Sequence, residues 1–447
     1  MMDYKANRAQ SLITPFECEH ESAFILAGMG TGKTAATLDY IHALLTLGLD
    51  KGALIVAPKA VSILSWPAEV KKWAKWSDLR VAMLRDDITP WVKGSADVYI
   101  TNYEQLDKLG KKAPCGTVIF DESWMAKNAS AKRINRFRKN LGHAFNRRVG
   151  LNGTPRPNCV SEIFAQVRLL DGGKRLGSKW TKFIEENFDK NKWTYKITPR
   201  PGVEDEIYAK IADMTLILKS SDYLDLVPIT FVDVYVDLPP SARAHYDEME
   251  KNAITMLDSG EIVGLTGAAV LGKLMQMASG CVYDTERSVH VIHSAKTDAL
   301  KDLLKEGNML TLTAYVHECD NVVEQAGAVK FSTDLIAEWD RGEIPHMVSN
   351  YVRVAAGLNL QAGGCHITWM TLPFSPLYYE QANARLHRTG QTEPVTVYRI
   401  IARNTVDEAV VETLRNKTQS QEDMLDHEAF QAFHALNVLT NLKKMRQ

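Results

Sequence analysis

Short apolar runs alternate with segments of helical periodicity along the first 150 residues of the chain. The runs lie at residues 24–27, 53–57, 98–100, 118–120 and 149–151. Residues 34–47 instead carry apolar positions at helical spacing, and Gly48 ends that pattern. Short apolar runs separated by helical segments are typical of buried strands in an α/β sheet. The pattern therefore predicts an α/β fold for this part of the chain.

The second half of the chain repeats this alternation. Its apolar runs lie at residues 309–313, 328–331, 346–348, 366–370 and 395–401, which predicts a second, mostly parallel sheet. Between the two sets, helical patterns occur at residues 162–170 and 246–257. We place the domain boundary near Pro228, so we expect an N-terminal domain over residues 1–227 and a C-terminal domain over residues 228–447.

The first apolar run leads into a loop with three glycines in five positions, followed by Lys33 and Thr34. Glycines let backbone N–H groups turn inward, and a helix N-terminus adds positive potential, which suits a triphosphate. Lys33 would reach the β- and γ-phosphates, and the Thr34 hydroxyl would ligate Mg²⁺. A glycine-rich turn with a surface lysine is the alternative, but the strand before and the helix after favour a phosphate loop. We expect nucleotide contacts from Ala27, Gly28, Met29, Gly30, Thr31, Gly32, Lys33 and Thr34.

Two adjacent carboxylates follow another apolar run. Asp121 and Glu122 come directly after residues 118–120, and ligands bind at the carboxyl ends of strands in open α/β sheets. In an NTPase, one such carboxylate holds the Mg²⁺ that bridges the phosphates, and the other polarises the attacking water. Upstream, the amide of Gln10 could read an adenine edge, although a surface glutamine is the commoner explanation.

These motifs resemble, in order along the chain, those of superfamily two helicases, and the Swi/Snf-like ATPases most closely. The matching stretches are residues 27–34, 56–58 with Trp66 and Glu69, 101–104, 121–123 with 127–128, and 151–155. The continuation of Asp121-Glu122 to Lys127-Asn128 is particular to the Swi/Snf-like group. Members usually carry Ala-His after Asp-Glu, whereas this chain has Ser123-Trp124.

The resemblance extends through the second half. Residues 381–391 are similar to the sixth helicase motif, and their Arg-x-x-Arg-x-Gly-Gln ending belongs to the Swi/Snf-like group. Arg385 and Arg388 lie three positions apart, which predicts one face of a helix. On their own, such arginines usually mean a solvated surface. The resemblance implies that they reach across a cleft to the γ-phosphate, so that ATP is hydrolysed efficiently only when two lobes close.

The resemblance implies two RecA-like lobes, each a mostly parallel sheet flanked by helices, with helical insertions between the third and fourth motifs. The implied catalytic residues are Lys33, Asp121, Glu122, Gln381, Arg385 and Arg388. The expected ligands are ATP and Mg²⁺, with Thr34 and Asp121 on the metal, and Gln10 and Gly357 add to the nucleotide contacts. The implied nucleic-acid contacts are Pro58, Lys59, Thr101, Asn102, Tyr103, Asn359 and Gln361.

Composition limits the partners and the compartment. The net charge of −1 gives no global basic field, so nucleic-acid binding must come from local patches. Six cysteines without C-x-x-C spacing argue against a zinc site and against a disulfide framework. The sequence lacks an apolar signal region and a membrane-length apolar run. We therefore expect a cytoplasmic protein, in the host cytoplasm if the source is viral, with no membrane partner.

The leading functional hypothesis is an ATP-driven translocase on double-stranded DNA, of the compact type carried by bacterial viruses. One alternative is a strand-separating helicase that acts on DNA or RNA. Another is a DNA-binding clamp that ATP switches with little turnover, although Glu122, Arg385 and Arg388 weigh against it. We expect a monomer, and the sequence identifies no protein partner.

Overall fold

The chain forms two compact units, Met1–Asp225 and Leu226–Gln447. The structure is a computed structural model, and it describes residues 1–128, 131–153, 160–190, 197–218, 220–258, 264–284, 286, 288–355 and 358–416. The expected boundary residue, Pro228, lies just before the first strand of the second unit. None of the helices in these ranges has the length and apolar character needed to cross a membrane.

The first unit contains strands β1 to β9 and helices α1 to α9. The strands are β1 Ser22–Ala27, β2 Ala53–Ala57, β3 Val81–Met83, β4 Val98–Asn102, β5 Thr117–Asp121, β6 Arg147–Asn152, β7 Phe188–Lys190, β8 Ile197–Pro199 and β9 Thr215–Leu218. The helices are α1 Gln10–Glu19, α2 Lys33–Thr46, α3 Lys59–Lys72, α4 Thr89–Lys93, α5 Lys132–Asn140, α6 Val160–Asp171, α7 Trp180–Asn187, α8 Val203–Ile211 and α9 Ser220–Tyr223.

In the described part of this unit, a seven-stranded sheet has the order β3-β4-β2-β5-β6-β1-β9. All its neighbouring strands are parallel. Strand β6 therefore lies between β1, which leads into the glycine loop, and β5, which leads into Asp121. Adjacent strands are about 4.8 Å apart, so the two predicted ATP motifs lie about 10 Å apart with the end of β6 between them.

Both faces of the strands β1, β2, β4 and β5 are buried, which explains why these strands read as continuous apolar runs. Along β1, Phe24 and Leu26 pack in one hydrophobic cluster, while Ile25 and Ala27 pack in a second cluster. This alternation is what a pleated strand imposes on successive side chains. The sheet is thus held on both sides, and its carboxyl edge carries the loops.

The second unit contains strands β10 to β17 and helices α10 to α17. The strands are β10 Ile229–Val236, β11 Cys281–Tyr283, β12 Val289–Val291, β13 Met309–Thr313, β14 Val329–Lys330, β15 His346–Asn350, β16 His366–Trp369 and β17 Val395–Ala402. The helices are α10 Pro240–Asp258, α11 Gly264–Ser279, α12 Ala295–Leu303, α13 Val316–Ala326, α14 Ile336–Asp340, α15 Tyr351–Ala355, α16 Pro376–Asn383 and α17 Val406–Asn416.

Within the described ranges, the second unit holds a six-stranded parallel sheet with the order β10-β17-β16-β13-β15-β14. Two antiparallel pairs, β7 with β8 and β11 with β12, lie outside the two large sheets. Helices α6 to α11 lie between the motif at residues 151–155 and strand β11. The predicted fold class, two mostly parallel sheets flanked by helices with helical insertions, is confirmed.

Candidate nucleotide-binding site

The glycine loop connects β1, which ends at Ala27, to α2, which begins at Lys33. Gly30 and Gly32 have φ angles of 79° and 84°, the left-handed region that glycine adopts without strain. Within the part of the chain that the structure describes, the backbone N–H groups of Gly30, Thr31 and Gly32 donate to no protein acceptor. Such donors at a helix N-terminus fit a phosphate group.

The end of β9 and the segment after it contact this loop. A Cβ on Gly28 would lie 2.9 Å from the backbone nitrogen of Ser220, so only glycine fits there. The Gly28 N–H donates to Leu218 O at 2.9 Å, and the Ser220 hydroxyl donates to Met29 O at 3.0 Å. The segment after β9 therefore fixes the loop. Sequence patterns did not reveal this role, because a hydroxyl beside a distant carbonyl leaves no periodic signal.

Gln10 supports the loop from the other side. Its Oε1 accepts from the Asn7 N–H at 2.8 Å, and its Nε2 donates to Gly32 O at 3.3 Å. A Cβ on Gly32 would lie 2.3 Å from that Nε2, so the two residues are in close contact. The amide of Gln10 is thus engaged with the loop backbone in this structure, and its predicted contact with adenine stays a prediction.

Lys33 and Thr34 open helix α2. The Lys33 ammonium donates to Ala27 O at 2.8 Å and to Gly28 O at 3.3 Å, so it lies inside the loop. Its positive charge also opposes the rise in the pKa of Asp121 that burial causes. Thr34 is half-buried. A cation within the loop and a hydroxyl at the helix start are the groups that the phosphate-loop pattern requires.

Asp121 is the last residue of β5 and is 8% exposed. Its Oδ2 accepts from the indole N–H of Trp66 at 2.8 Å, and its Oδ1 accepts from the Glu122 N–H at 3.0 Å. Burial, with the adjacent Glu122 charge, raises the pKa of Asp121 to about 6, whereas the Trp66 hydrogen bond and Lys33 act in the opposite direction. Trp66 is fully buried on α3 and holds the carboxylate in place.

Glu122 has a φ of 49°, which is uncommon for a residue with a side chain. Its Oε2 accepts from the indole N–H of Trp124 at 2.7 Å. A Cβ on Gly153 would lie 3.7 Å from Glu122 Oε1 and 3.6 Å from Met29 Cγ. Gly153, in the turn after β6, therefore lies close to both Glu122 and Met29 of the glycine loop. Strained backbone held by neighbours is common at active sites.

Ser123 and Trp124, the departure from the Ala-His pattern, connect to the turn after β6. Asn152 Oδ1 lies 2.9 Å from the Ser123 hydroxyl and accepts from the Trp124 N–H at 3.1 Å. The Asn152 amide in turn donates to Gln166 Oε1 at 2.9 Å, and all four residues belong to the first unit. Buried, satisfied amide networks of this kind fix a single arrangement. The Asp121-Glu122 motif and the motif at residues 151–155 are thus coupled without the histidine.

Lys127, from the group-specific extension, pairs with Glu162 of α6 at 2.9 Å. The ammonium opposes the effect of burial, which raises the pKa of Glu162 to about 7. This pair ties the segment after Asp121-Glu122 to α6. The extension therefore has a structural role in this unit.

The residues predicted to contact nucleic acid at the end of β4 and just after it are buried. Thr101, Asn102 and Tyr103 are 3%, 5% and 4% exposed. Asn102 Oδ1 accepts from the Gln105 N–H at 3.1 Å, and the Tyr103 hydroxyl donates to Asp121 O at 2.9 Å. This geometry does not support side-chain contact between these three residues and DNA, because all three are buried and the Tyr103 hydroxyl is engaged with the carboxylate segment.

Pro58 and Lys59 lie at the start of α3, where Pro58 is half-buried and Lys59 is exposed. Five of the predicted nucleic-acid contacts lie in the first unit, and among these five only Lys59 has an exposed cationic side chain. Asn359 in the second unit is exposed, and Gln361 is half-buried.

The prediction that Arg385 and Arg388 lie on one helix is wrong. Helix α16 ends at Asn383, and both arginines lie in the turns that follow. Their guanidinium groups nevertheless reach the same carbonyl, Leu358 O, at 3.5 Å and 3.2 Å. Arg385 also donates to Ala355 O, and Arg388 donates to Asn359 Oδ1. These tertiary bonds replace the predicted helical spacing as the reason why the two side chains lie together.

Gln381 is 5% exposed within α16. Gly357 lies outside the described residues. The first unit therefore brings together the glycine loop, Asp121, Glu122 and Gln10. The second unit brings the two arginines together with Ala355, Leu358 and Asn359.

The donor set of the first unit fits ATP with Mg²⁺. Asp121 and Thr34 offer the oxygen ligands that Mg²⁺ prefers, at the sheet edge where the loop donors Gly30, Thr31 and Gly32 would meet phosphates. Lys33 adds the cation beside them.

Comparison with known proteins places these motifs in one family. Residues 9–281 match the SNF2-related domain. The chain belongs to the SNF2-related family. The resemblance to Swi/Snf-like ATPases is thus confirmed, and the two parallel sheets are the two RecA-like lobes of a helicase-like ATPase domain.

The SNF2-related chain is similar over nearly its whole length to a phage protein. Protein p41 of Acyrthosiphon pisum secondary endosymbiont phage 1 is 31% identical over 446 residues, covering 93% of this chain and 96% of p41. The uncharacterized ATP-dependent helicase YqhH of Bacillus subtilis is 24% identical, covering 88% and 74%. The expected likeness to compact phage members is confirmed.

Longer relatives include the mouse SWI/SNF-related matrix-associated actin-dependent regulator of chromatin subfamily A member 1, 24% identical over 92% of this chain. The chain spans 42% of that protein's length. Among solved structures, the Sulfolobus solfataricus SWI2/SNF2 ATPase core in complex with dsDNA is 20% identical with a TM-score of 0.45, covering 94% of each chain.

Proposed function

We propose that this chain is an ATP-dependent translocase that moves along double-stranded DNA without lasting strand separation. One observation supports ATP hydrolysis most directly. The glycine loop, the Asp121-Glu122 pair and the Asn152-Gly153 turn meet at one sheet edge, where Trp124 hydrogen-bonds to both Glu122 and Asn152, and Gly153 lies close to Glu122 and Met29. A site that only held nucleotide would have less need of a carboxylate fixed by two neighbouring motifs.

The candidate site residues of the two units have distinct tasks in the proposed hydrolysis. The N–H groups of Gly30, Thr31 and Gly32 bind the phosphates, and Lys33 stabilises charge on the β- and γ-phosphates. Thr34 and Asp121 would hold Mg²⁺, which neutralises phosphate charge when bound. Glu122 orients the attacking water and accepts its proton. Arg385 and Arg388 stabilise the charge that develops on the γ-phosphate, as the family resemblance implies.

Translocation on duplex DNA is favoured over strand separation by the group-specific residues. Lys127-Asn128 and the Gly390-Gln391 ending occur in the SNF2-related group rather than in helicases at large. The similarity to the uncharacterized ATP-dependent helicase YqhH keeps a strand-separating helicase as the second candidate.

The first test measures ATP turnover by purified protein with no nucleic acid, single-stranded DNA, duplex DNA and RNA. We expect duplex DNA to stimulate turnover most. Lys33→Ala, with folding checked by thermal unfolding, serves as the site control and should abolish turnover. Turnover that is equal under all four conditions would contradict the proposed DNA dependence.

A further inference from the structure

Helix α5 carries an exposed basic face in a protein of nearly neutral charge. Five of its nine residues are Lys or Arg and none is Asp or Glu, while the whole chain has a net charge of −1. Ile134 and Phe137 are buried against the first unit. On the opposite side, Lys132, Arg136 and Lys139 recur at i, i+4 and i+7, which aligns them in one row. We call these three residues and Arg133 the α5 basic face.

Most of this positive charge is not neutralised by the protein. In the ranges that the structure describes, Lys132, Arg133 and Lys139 form no ion pair, and Arg136 pairs with Asp107 at 3.2 Å. All four side chains of the α5 basic face are exposed. A helix face selected only for solubility usually mixes charges of both signs, which form i,i+4 pairs. A row of positively charged side chains on a helix without acidic residues instead suits the binding of a polyanion.

The position of α5 in the unit supports a role beside the ATP motifs. The helix follows the carboxylate segment in the chain and leads into β6, so it begins near the carboxyl edge of the sheet. It packs against the 3₁₀ segment Tyr103–Leu109, and the ion pair between Arg136 of α5 and Asp107 of that segment joins the two. Lys108 within this segment is exposed, and so are Lys111 and Lys112 just after it. The basic residues thus continue beyond the helix itself.

We propose that the α5 basic face binds the phosphate backbone of duplex DNA. The partner rests on the proposed function, and the surface rests on the charge pattern. The row from Lys132 to Lys139 is about 10 Å long, which matches about three phosphates of one strand at 3.4 Å each along the axis. Backbone contacts carry no base information, so binding through this face is independent of DNA sequence. The α5 basic face is exposed and available to DNA, whereas the predicted contacts Thr101, Asn102 and Tyr103 are buried.

The test compares two triple variants of the full chain in duplex-DNA binding, followed by fluorescence anisotropy at several salt concentrations. Lys132→Gln/Arg136→Gln/Lys139→Gln removes the row, and glutamine retains good helix propensity. Lys51→Gln/Lys93→Gln/Lys182→Gln changes the net charge equally at exposed positions of the same unit that do not belong to α5. Thermal unfolding confirms that each variant folds. A second pair, Lys132→Gln and Lys51→Gln alone, keeps the comparison if a triple variant is unstable.

Each released counterion contributes about 0.9 to the slope of log affinity against log salt. We expect the α5 triple variant to lose about 2 to 3 from that slope and the control to keep the parental slope. Equal slopes in the two triple variants, with a parent that binds DNA, would overturn the α5 assignment and leave the translocase proposal standing. A parent that shows no salt-dependent DNA binding would overturn both.

Discussion

At the residue scale, Trp124 distinguishes this chain from the usual Asp-Glu-Ala-His pattern, because its indole donates to Glu122 at 2.7 Å. We predict that Trp124→Phe lowers turnover by about 10- to 150-fold, since a hydrogen bond to a charged group contributes about 1.5–3 kcal/mol. Affinity for a fluorescent ATP analogue should stay near the parental value. Trp124→His, which keeps a ring N–H donor, should recover part of the loss.

Trp180→Phe is the matched control for Trp124→Phe. Trp180 lies on α7 within the hydrophobic cluster of the same unit, and its substitution should leave turnover unchanged. If Trp124→Phe and Trp180→Phe behave alike, the indole of Trp124 does not position Glu122.

A second residue-scale prediction concerns Glu122 itself. Glu122→Gln keeps the shape of the side chain and removes the base, so ATP should still bind while turnover falls by about 10²–10⁴. Equilibrium binding and steady-state turnover measured on the same preparation separate the two effects. Loss of both together would move Glu122 from catalysis to folding or metal binding.

At the element scale, helices α1 and α2 meet at a buried carboxyl group. Glu17 is fully buried on α1, its Oε1 accepts from the Thr37 hydroxyl of α2 at 2.7 Å, and burial raises its pKa to about 8. The folded protein therefore holds this proton over a pH range in which the unfolded chain has lost it. The contribution of Glu17 to the free energy of unfolding is fully present below about pH 4.5. It is lost as the pH rises through about 8.

Glu17→Gln should remove this pH dependence, because the amide stays neutral. We expect the variant and the parent to have similar melting temperatures near pH 5, and the variant to melt higher near pH 8. Thermal unfolding across this range checks the sign. A difference that is constant with pH would show that Glu17 is ionised in the folded state.

The strands could be predicted from sequence, and the side-chain contacts could not. Burial on both faces produces the continuous apolar runs of β1, β2 and β5, which is a local signal. The turn that holds Arg385 and Arg388 depends on carbonyl groups some 30 residues away, at Ala355 and Leu358. Likewise, the inward direction of Tyr103 depends on Asp121. Such tertiary hydrogen bonds have no periodicity that a sequence can display.

At the scale of the whole molecule, the proposal requires both lobes for hydrolysis. Arg388→Ala should leave ATP affinity near the parental value and reduce DNA-stimulated turnover severely, since arginine fingers in other NTPases contribute about 10³–10⁵ in rate. Arg341→Ala, an exposed residue of the same unit paired with Glu343, is the control and should have little effect. Parental stimulation in Arg388→Ala would favour the ATP-switched clamp.

Displacement of a third strand from a blunt duplex tests translocation most directly, because a motor that tracks along duplex DNA removes a bound third strand without separating the two strands beneath it. With ATP, the parent should release the third strand and leave a matched forked duplex paired, while Lys33→Ala and Glu122→Gln should release nothing. Unwinding of the fork would instead identify a strand-separating helicase, and retention of the third strand by an active, DNA-stimulated ATPase would contradict translocation.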